Sequence, residues 1–412
     1  MKKIIAALLS VLFIASSFAE ITWSKRFLEV GANASVTVNQ NLLSATEIFK
    51  ETIVIDLPKI NENIGDDGLV LNLGTDDDVY VNFNLKKFGI GIDIGAEGYG
   101  TLGTGKGFIY FLAYGNPDGN ISTNFTAEAE TYANFSVPVR MQFGKLKVKA
   151  TPTYYIPIVY VPTTYFPVTV TSTSDESIKV TASGVIPVYS IVDLSLLQDT
   201  SALTDYLSSD VMDILSHGGF CVALEAEYPL LSSLSVGGYA QIPIIPGTLT
   251  NKTEVSATFS YEEDDLLTAL LNNNVNQDYT LDYSIGSSTA CNYSVNKPLR
   301  LGGEVVFKPF GNWFVLNPMV GVACKNPFGE DFSFKDSMFL EYDIRARMTL
   351  IGIIKLYAAT SYIEKVYTHQ AGLGFDLFVA ELNVKVGTSG TDFIDSFKVS
   401  GLKAVVGVTV GL

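Results

Sequence analysis

From Asn124 to Val139 the chain alternates almost without a break. Phe125, Ala127, Ala129, Ala133, Phe135, Val137 and Val139 fall on one side, with Thr131 the single polar exception. Asn124, Thr126, Glu128, Glu130, Asn134 and Ser136 fall on the other, joined by Tyr132 and Pro138. Successive side chains of a strand point to opposite faces. The stretch therefore reads as a two-faced strand of 16 residues, where strands of globular proteins run to about 5–6. A strand that crosses a bilayer at a tilt needs about 9–11 residues.

The pattern recurs along the chain. Phe88, Ile90, Ile92, Ile94 and Ala96 oppose Gly89, Gly91, Asp93, Gly95 and Glu97. Leu146, Val148, Ala150, Tyr154, Ile156, Ile158 and Tyr160 oppose Lys145, Lys147, Lys149, Thr151 and Thr153. Pro157 and Pro162 should disturb pairing near the end of that strand, because proline has no N–H to donate. Further strands are expected at 220–228, 234–245, 299–308, 313–324, 339–350, 353–363, 367–378, 379–388 and 401–412, and a hairpin at 166–188 turns near Ser174-Asp175.

Away from the N-terminus no run reaches the roughly 18 apolar residues of a membrane helix. Lipid leaves an open sheet edge unsatisfied, so membrane strands must close into a barrel. The 21 Tyr, 25 Phe and 35 Gly suit one, with aromatics for interfacial girdles and glycine for turns and close packing. The expected fold is an all-β transmembrane antiparallel β-barrel of about 14 strands, within a range of 12–18, with short helices in a lumen plug or in loops.

Residues 1–19 read as a Sec signal peptide: Lys2 and Lys3, an apolar run from Ile4 to Ala15, then Ser17-Phe18-Ala19. Residues 20–412 then form one barrel domain in the outer membrane of a diderm bacterium. Residues 41–60 interrupt the pattern and are a candidate plug or bridging segment. Leu203, Leu207, Val211, Ile214 and Leu215 follow helical spacing up to Gly218-Gly219, and residues 263–297 read as a long polar surface loop. Thr75 to Asp78 reads as a turn between two strands.

The net charge of −16 becomes −18 without Lys2 and Lys3, which leaves no electrostatic footprint for nucleic acid. The expected partners are outer-membrane lipid, the barrel assembly machinery and a solute whose identity the sequence leaves open. Cys221, Cys291 and Cys324 are odd in number and far apart. They do not form a disulfide framework, and packed or idle thiols are favoured over one bridged pair.

Motifs for chemistry are weak. Gly98-x-Gly100-x-x-Gly103 fits a dinucleotide pattern and Gly100 to Lys106 the start of a phosphate loop. The first needs a strand and then a helix N-terminus, and the second needs Ser or Thr where Gly107 stands. A flexible turn is favoured. A barrel hydrolase would need a His paired with a nucleophile or an acid, and the sequence around His217 and His369 shows no such local constellation. Asp76-Asp77-Asp78 and Asp264-Asp265 lack spaced calcium ligands. No enzyme activity, cofactor or metal is expected. The candidate site is a set of lumen-facing charges: Asp93, Glu97, Glu128 and Glu130, opposed by Lys145, Lys147 and Lys149. They either set ion selectivity or bridge one another as a structural seam, and the seam is favoured.

Three stretches carry a family resemblance: "FGIGIDIGAEGYG" with "AYGN" at 113–116, then "HGGFCVALEAEY" at 217–228, then "LSVGGYAQIPIIPGTL". Together they resemble a spirochaete-type family of outer-membrane β-barrel proteins, itself similar to long-chain fatty-acid transporter barrels. The resemblance implies 14 strands and a lumen plug, and no functional residue carries over from it. Leu402, Ala404, Val406, Val408, Val410 and Leu412 share one face of the last strand. This end resembles a barrel-assembly signal at Gly407, Val410 and Leu412, without the usual terminal Phe or Trp. It should close on the first strand, around Phe27 to Asn39.

The function this supports is a channel or transporter for a small or hydrophobic solute. The alternatives are a structural surface barrel without transport, and a secreted soluble β-rich adhesin, against which strand length argues.

Overall fold

The computed structural model describes residues 21, 26–41, 56–64, 68–115, 120–172, 178–194, 196, 211–263, 279–329, 332, 334–363, 365–391, 393–398 and 401–412. The segment 1–19, most of 41–60 and the run 264–278 lie outside them.

The chain closes into a 14-strand antiparallel barrel. It opens with β1 (Leu28–Gln40), β2 (Leu69–Asn84), β3 (Phe88–Thr104), β4 (Asn120–Ser136), β5 (Val139–Phe143) and β6 (Leu146–Ser172). Next come β7 (Ile178–Ser190), β8 (Gly219–Leu231), β9 (Leu234–Ile245), β10 (Gly247–Glu263), β11 (Tyr279–Ile285), β12 (Thr289–Val295), β13 (Leu299–Phe307) and the short β14 (Pro309–Asn312). It finishes with β15 (Phe314–Cys324), β16 (Met338–Leu350), β17 (Ile354–Ile363), β18 (Val366–Asp376), β19 (Ala380–Gly390) and β20 (Gly401–Gly411).

Strands β4 and β5 fill one place in the ring, since both pair with β3 on one side and β6 on the other. The expected single strand breaks at Val137-Pro138. Pro138 cannot donate, but its carbonyl accepts from Gly91 N at 2.9 Å and Val137 N donates to Pro152 O at 3.0 Å, so the wall stays bonded through the break. Closure runs between β20 and β1, from Glu29↔Gly411 to Asn39↔Gly401, as the C-terminal pattern predicts.

Among the described residues five strands lie outside the ring: β7, β10, β11, β12 and the short β14. The first half of β6 pairs with β8, while its second half pairs with β7. Strand β7 pairs with β10, which carries β11 and β12. At about 3.3 Å per residue the 27 residues of β6 trace about 90 Å, against a hydrocarbon core of about 30 Å. The excess forms a sheet that continues past the rim. Proline acts where expected: β4–β6 pairing slips opposite Pro157 and Pro162, and β6–β7 pairing is interrupted between Tyr160 and Val168.

One rim carries short turns, such as Leu85–Lys87, Ile351–Ile353 and Leu377–Val379, together with both ends of the ring. The other carries the longer connections. Exposed Phe27, Phe83, Phe88, Phe143, Tyr228, Phe310, Trp313 and Phe378 encircle the short-turn rim, which is the position of an interfacial girdle. Above it the outer face is apolar, with Ile92, Ile94, Leu224, Val320, Leu340, Val386, Val406 and Val408 all exposed.

Two expected turns are strand. Thr75 to Asp78 lies within the uninterrupted β2, where Asp78 Oδ1 accepts from Asn33 Nδ2 of β1 at 2.9 Å. A polar inner face holds acidic residues that would force a turn in a soluble sheet. Gly98 to Thr104 belongs to β3, and Gly105 caps α1 (Lys106–Tyr114). The strand-then-helix context of a dinucleotide site is thus present, contrary to the flexible turn expected. The next strand, β4, returns antiparallel rather than parallel, and a Cβ at Gly105 would lie 2.4 Å from Thr123 Oγ1, so that flank of the loop is already filled.

Of the interrupting segment 41–60, Asn41 and residues 56–60 are described, and the latter are the start of a helix at Leu57–Asn63, N-capped by Asp56. It packs on α1, where Lys106 Nζ donates to Ile64 O at 3.0 Å. Of the helix expected at 203–215, Val211–Ser216 is helical and the rest lies outside the described residues.

Candidate lumen site

The inner wall is polar because the alternation is polar. Glu225 and Glu227 of β8, Gln241 of β9, Arg300 of β13, Asn317 of β15, and Glu341 and Asp343 of β16 are all buried. Their chain neighbours Leu224, Tyr228, Ile242, Leu301 and Leu340 are exposed on the outside. Buried charges persist only with partners or water, and the register supplies partners. Lys147 and Lys149 of β6 stand directly opposite Glu227 and Glu225, at 3.1 and 2.7 Å. Arg300 meets Glu341 at 3.3 Å, and Arg345 is bound to Asp343.

Inward tyrosines lie across neighbouring strands where glycine leaves room. Tyr80 crosses β1 over Gly31, where a Cβ would sit 2.4 Å from the ring, and its hydroxyl reaches Thr409 Oγ1 at 2.6 Å. Tyr239 lies over Gly302 of β13 in the same way, with a ring atom 2.4 Å from a Cβ there.

At the short-turn rim Arg26 binds Asp376 at 2.7 Å and Glu29 at 3.4 Å, while Lys355 bridges Asp376 and Glu381 at 3.1 and 2.8 Å. Ile21 is buried, and its carbonyl accepts from Lys147 Nζ at 3.2 Å. Ile21 therefore lies against the inner wall at Lys147.

At the opposite rim the connection from β12 to β13 crosses the interior. Val295 at the end of β12 and Asn296 and Lys297 of the connection are buried. Tyr155 Oη donates to Val295 O at 3.2 Å, and Gln241 Nε2 donates to Pro298 O at 2.9 Å. Asn296 N donates to Asn326 Oδ1 at 3.0 Å. Lys297 Nζ binds Glu97 and lies 5.6 and 5.9 Å from the ring centres of Tyr132 and Tyr155, within cation–π range. Residues 295–298 form a strap tied to β3, β6 and β9 of the wall.

Beside the strap is a cavity of about 160 Å³. Tyr99, Tyr160, Tyr165 and Val161 give it an apolar side, and Glu128, Lys325 and Lys365 a charged one. Lys325 reaches Glu128 at 3.6 Å and lies 4.4 Å from the Tyr99 ring centre, and Thr163 Oγ1 donates to Glu128 at 2.7 Å.

The candidate charges thus fall at different levels. Glu97 and Glu128 hold lysines at the mouth, and Glu130 accepts from Tyr132 Oη at 3.1 Å. Asp93 lies lower on the inner face of β3, between outward Ile92 and Ile94. Lys147 and Lys149 pair with β8 glutamates rather than with the acids of β3 and β4. Lys145 departs from the set: it is exposed in the turn between β5 and β6. Glu225 and Glu227 alternate with the outward Leu224, Ala226 and Tyr228 in a way that resembles β3, a signal available in the sequence. Lys297 and Lys325 carry no such signal, since both sit between regular strands.

All three cysteines are free. Among the described residues no group of three His, Cys, Asp or Glu is placed to hold a metal ion.

No family model matches the chain, and no curated protein does. Solved structures do. The toluene transporter TbuX of Ralstonia pickettii is similar at 8% identity and a TM-score of 0.43, over 94% of this chain and 90% of that one. The toluene transporter TodX of Pseudomonas putida is similar at 9% identity and a TM-score of 0.41, over 93% and 89%. The outer membrane protein Omp33 of Acinetobacter baumannii is similar at 7% identity and a TM-score of 0.29, over 94% and 100%.

Proposed function

We propose that this barrel is an outer-membrane channel whose mouth is closed by the strap 295–298. Its short turns face the periplasm, as in other barrels of this class, and residues 1–19 are the export signal removed on the way. The reading rests on one observation: the strap spans the barrel end and is tied to wall side chains on several strands, with an ionic tie from Lys297 to Glu97. A charged latch over a polar lumen releases at low cost, because water can take over both charges.

The solute is small and partly apolar. The mouth cavity of about 160 Å³ is close to the roughly 150 Å³ that holds benzene in an apolar protein site. Its tyrosines suit a ring or short chain, and its charged side suits one polar group. Below it the ion-paired wall conducts water and small solutes.

Conductance of the refolded protein in a planar bilayer tests this. Wild type should show small, rarely open currents, and Lys297→Ser should raise the open probability several-fold. A folded barrel that passes no current in either form overturns the channel and leaves the structural barrel, for which the Lys147–Glu227 and Lys149–Glu225 seam is sufficient reason.

A further inference from the structure

The wall made by β16, β17 and β18 carries a second cavity, and this one opens outward. Tyr342, Ile344 and Ala346 of β16, Ala358 of β17 and His369 of β18 share the outer face. The connection between β19 and β20 folds back over that face. Phe397 stacks on the His369 ring at 3.8 Å and 14°, and Phe393 meets it edge-on at 5.6 Å. The result is an open groove of about 630 Å³, within the about 300–1,000 Å³ typical of small-molecule sites.

Three observations define what fits. The lining is apolar apart from Thr360 and His369, and His369 Nε2 is already engaged, 2.7 Å from the buried Ser396 Oγ. Water in the groove would find few partners. The wall behind it is unbroken: β16 pairs with β17 from Tyr342↔Tyr362 to Leu350↔Ile354, and β17 with β18 from Ile354↔Phe375 to Ile363↔Val366. Among the described residues this continuous wall separates the groove from the lumen. On its other sides the groove runs into the lipid-facing band at Leu340, Val320 and Leu373.

The structure assigns this groove to an acyl chain of a lipid from the surrounding bilayer, held at a fixed place on the barrel. Ala346 and Ala358, opposite each other in register, form a floor low enough for the chain. The tyrosine row above it, Tyr342 to Tyr362 at 6.3 Å and Tyr362 to Tyr367 at 4.3 Å, stands where an interfacial girdle meets the headgroups. The roof of Phe393 and Phe397 is what distinguishes this place from the rest of the outer wall, which lipid covers without enclosure.

Native mass spectrometry of the full-length protein, purified in mild detergent, tests the assignment. Wild type should retain one lipid. Ala346→Trp with Ala358→Trp fills the floor and should lower the retained fraction at least fivefold, whereas Val384→Trp, outward on β19, should leave it unchanged. Heat-modifiable migration on gels shows that each variant is folded. Should the filled variant fail to fold, Phe397→Ala opens the roof and should lower retention at least threefold. Equal retention in wild type and in the folded groove variant overturns the assignment. So does a retained mass that is a second copy of the chain.

Discussion

Lys297 and Glu97 meet inside the barrel although 200 residues separate them, with the Lys297 ammonium beside the rings of Tyr132 and Tyr155. One comes from the connection between β12 and β13 and the other from the inner face of β3. Each is needed by the other. Lys297→Met should destabilise the barrel by about 1–3 kcal/mol, less than a fully buried pair because Glu97 keeps some contact with water. Glu97→Gln combined with Lys297→Met should recover part of the loss. A double-mutant cycle by denaturant unfolding in micelles measures this, and additive losses would mean that the pair is not coupled.

Glu227 is the more deeply buried of the β8 glutamates, at 2% exposure, and both its oxygens accept from Lys147. Glu227→Ala leaves Lys147 facing Ile21 O alone and should cost about 2–4 kcal/mol. Lys147→Met in the same background should restore some of it. The unfolding midpoint of the two variants against wild type decides the matter. A midpoint unchanged in Glu227→Ala would show that lumen water, not the pair, satisfies Lys147.

Ile92 and Asp93 separate the two faces of β3. Ile92, 48% exposed, belongs to the lipid-facing band. Ile92→Arg should cost roughly 2–4 kcal/mol near the middle of the span, and Asp93→Asn on the inner face much less. Refolding yields into lipid vesicles, compared side by side, should rank the two variants in that order. Equal tolerance would reverse the assignment of faces.

Asp77 breaks the apolar pattern of the outer face. It lies between inward Asp76 and Asp78, two residues from the exposed Val79, and in register with Ala34 and Ala96. Asp77→Val should therefore raise stability by about 1 kcal/mol, since carboxylates cost less than cations on a lipid face but still cost. A lower unfolding midpoint would point to a role for the carboxylate that outweighs its desolvation.

Residues Val408–Gly411 pair with Glu29–Ala32 on one side and, up to Val410, with Ala380–Leu382 on the other. Deleting Val408–Leu412 leaves two rows of backbone groups unpaired in lipid, each costing several kcal/mol. Assembly should be abolished, while Leu412→Phe should be tolerated. Fractionation with heat-modifiability gels reads both. Normal amounts of the truncated chain in heat-modifiable form would move the closing seam elsewhere.

The barrel was legible because a membrane wall is built from a local rule. A period of two places Ile90, Ile92 and Ile94 outward and Asp93 and Glu97 inward, and the same rule predicted that the last strand closes on the first. Pro157 and Pro162 announced their own breaks in pairing, since a missing N–H is a property of one residue. The rule misled where it was applied as if to a soluble sheet. Asp76 to Asp78 reads as a turn because carboxylates rarely sit mid-strand against a core, but the inside of this barrel is polar and takes Asp76 and Asp78, which leaves Asp77 alone on the outer face.

What the sequence by itself determined, then, is the class of wall, its two faces and its seam, all set by side chains within a few residues of each other. Only the tertiary structure decided which charges meet. Lys147 and Lys149 were expected opposite the acids of β3 and β4 and instead face Glu227 and Glu225, because β6 has two edges and the register of the far edge is not written in either strand. The strap at 295–298, the position of Ile21 beside Lys147 and the roof that Phe397 makes over His369 come from segments outside the regular strands. No period governs those segments, and their place depends on how the whole ring closes.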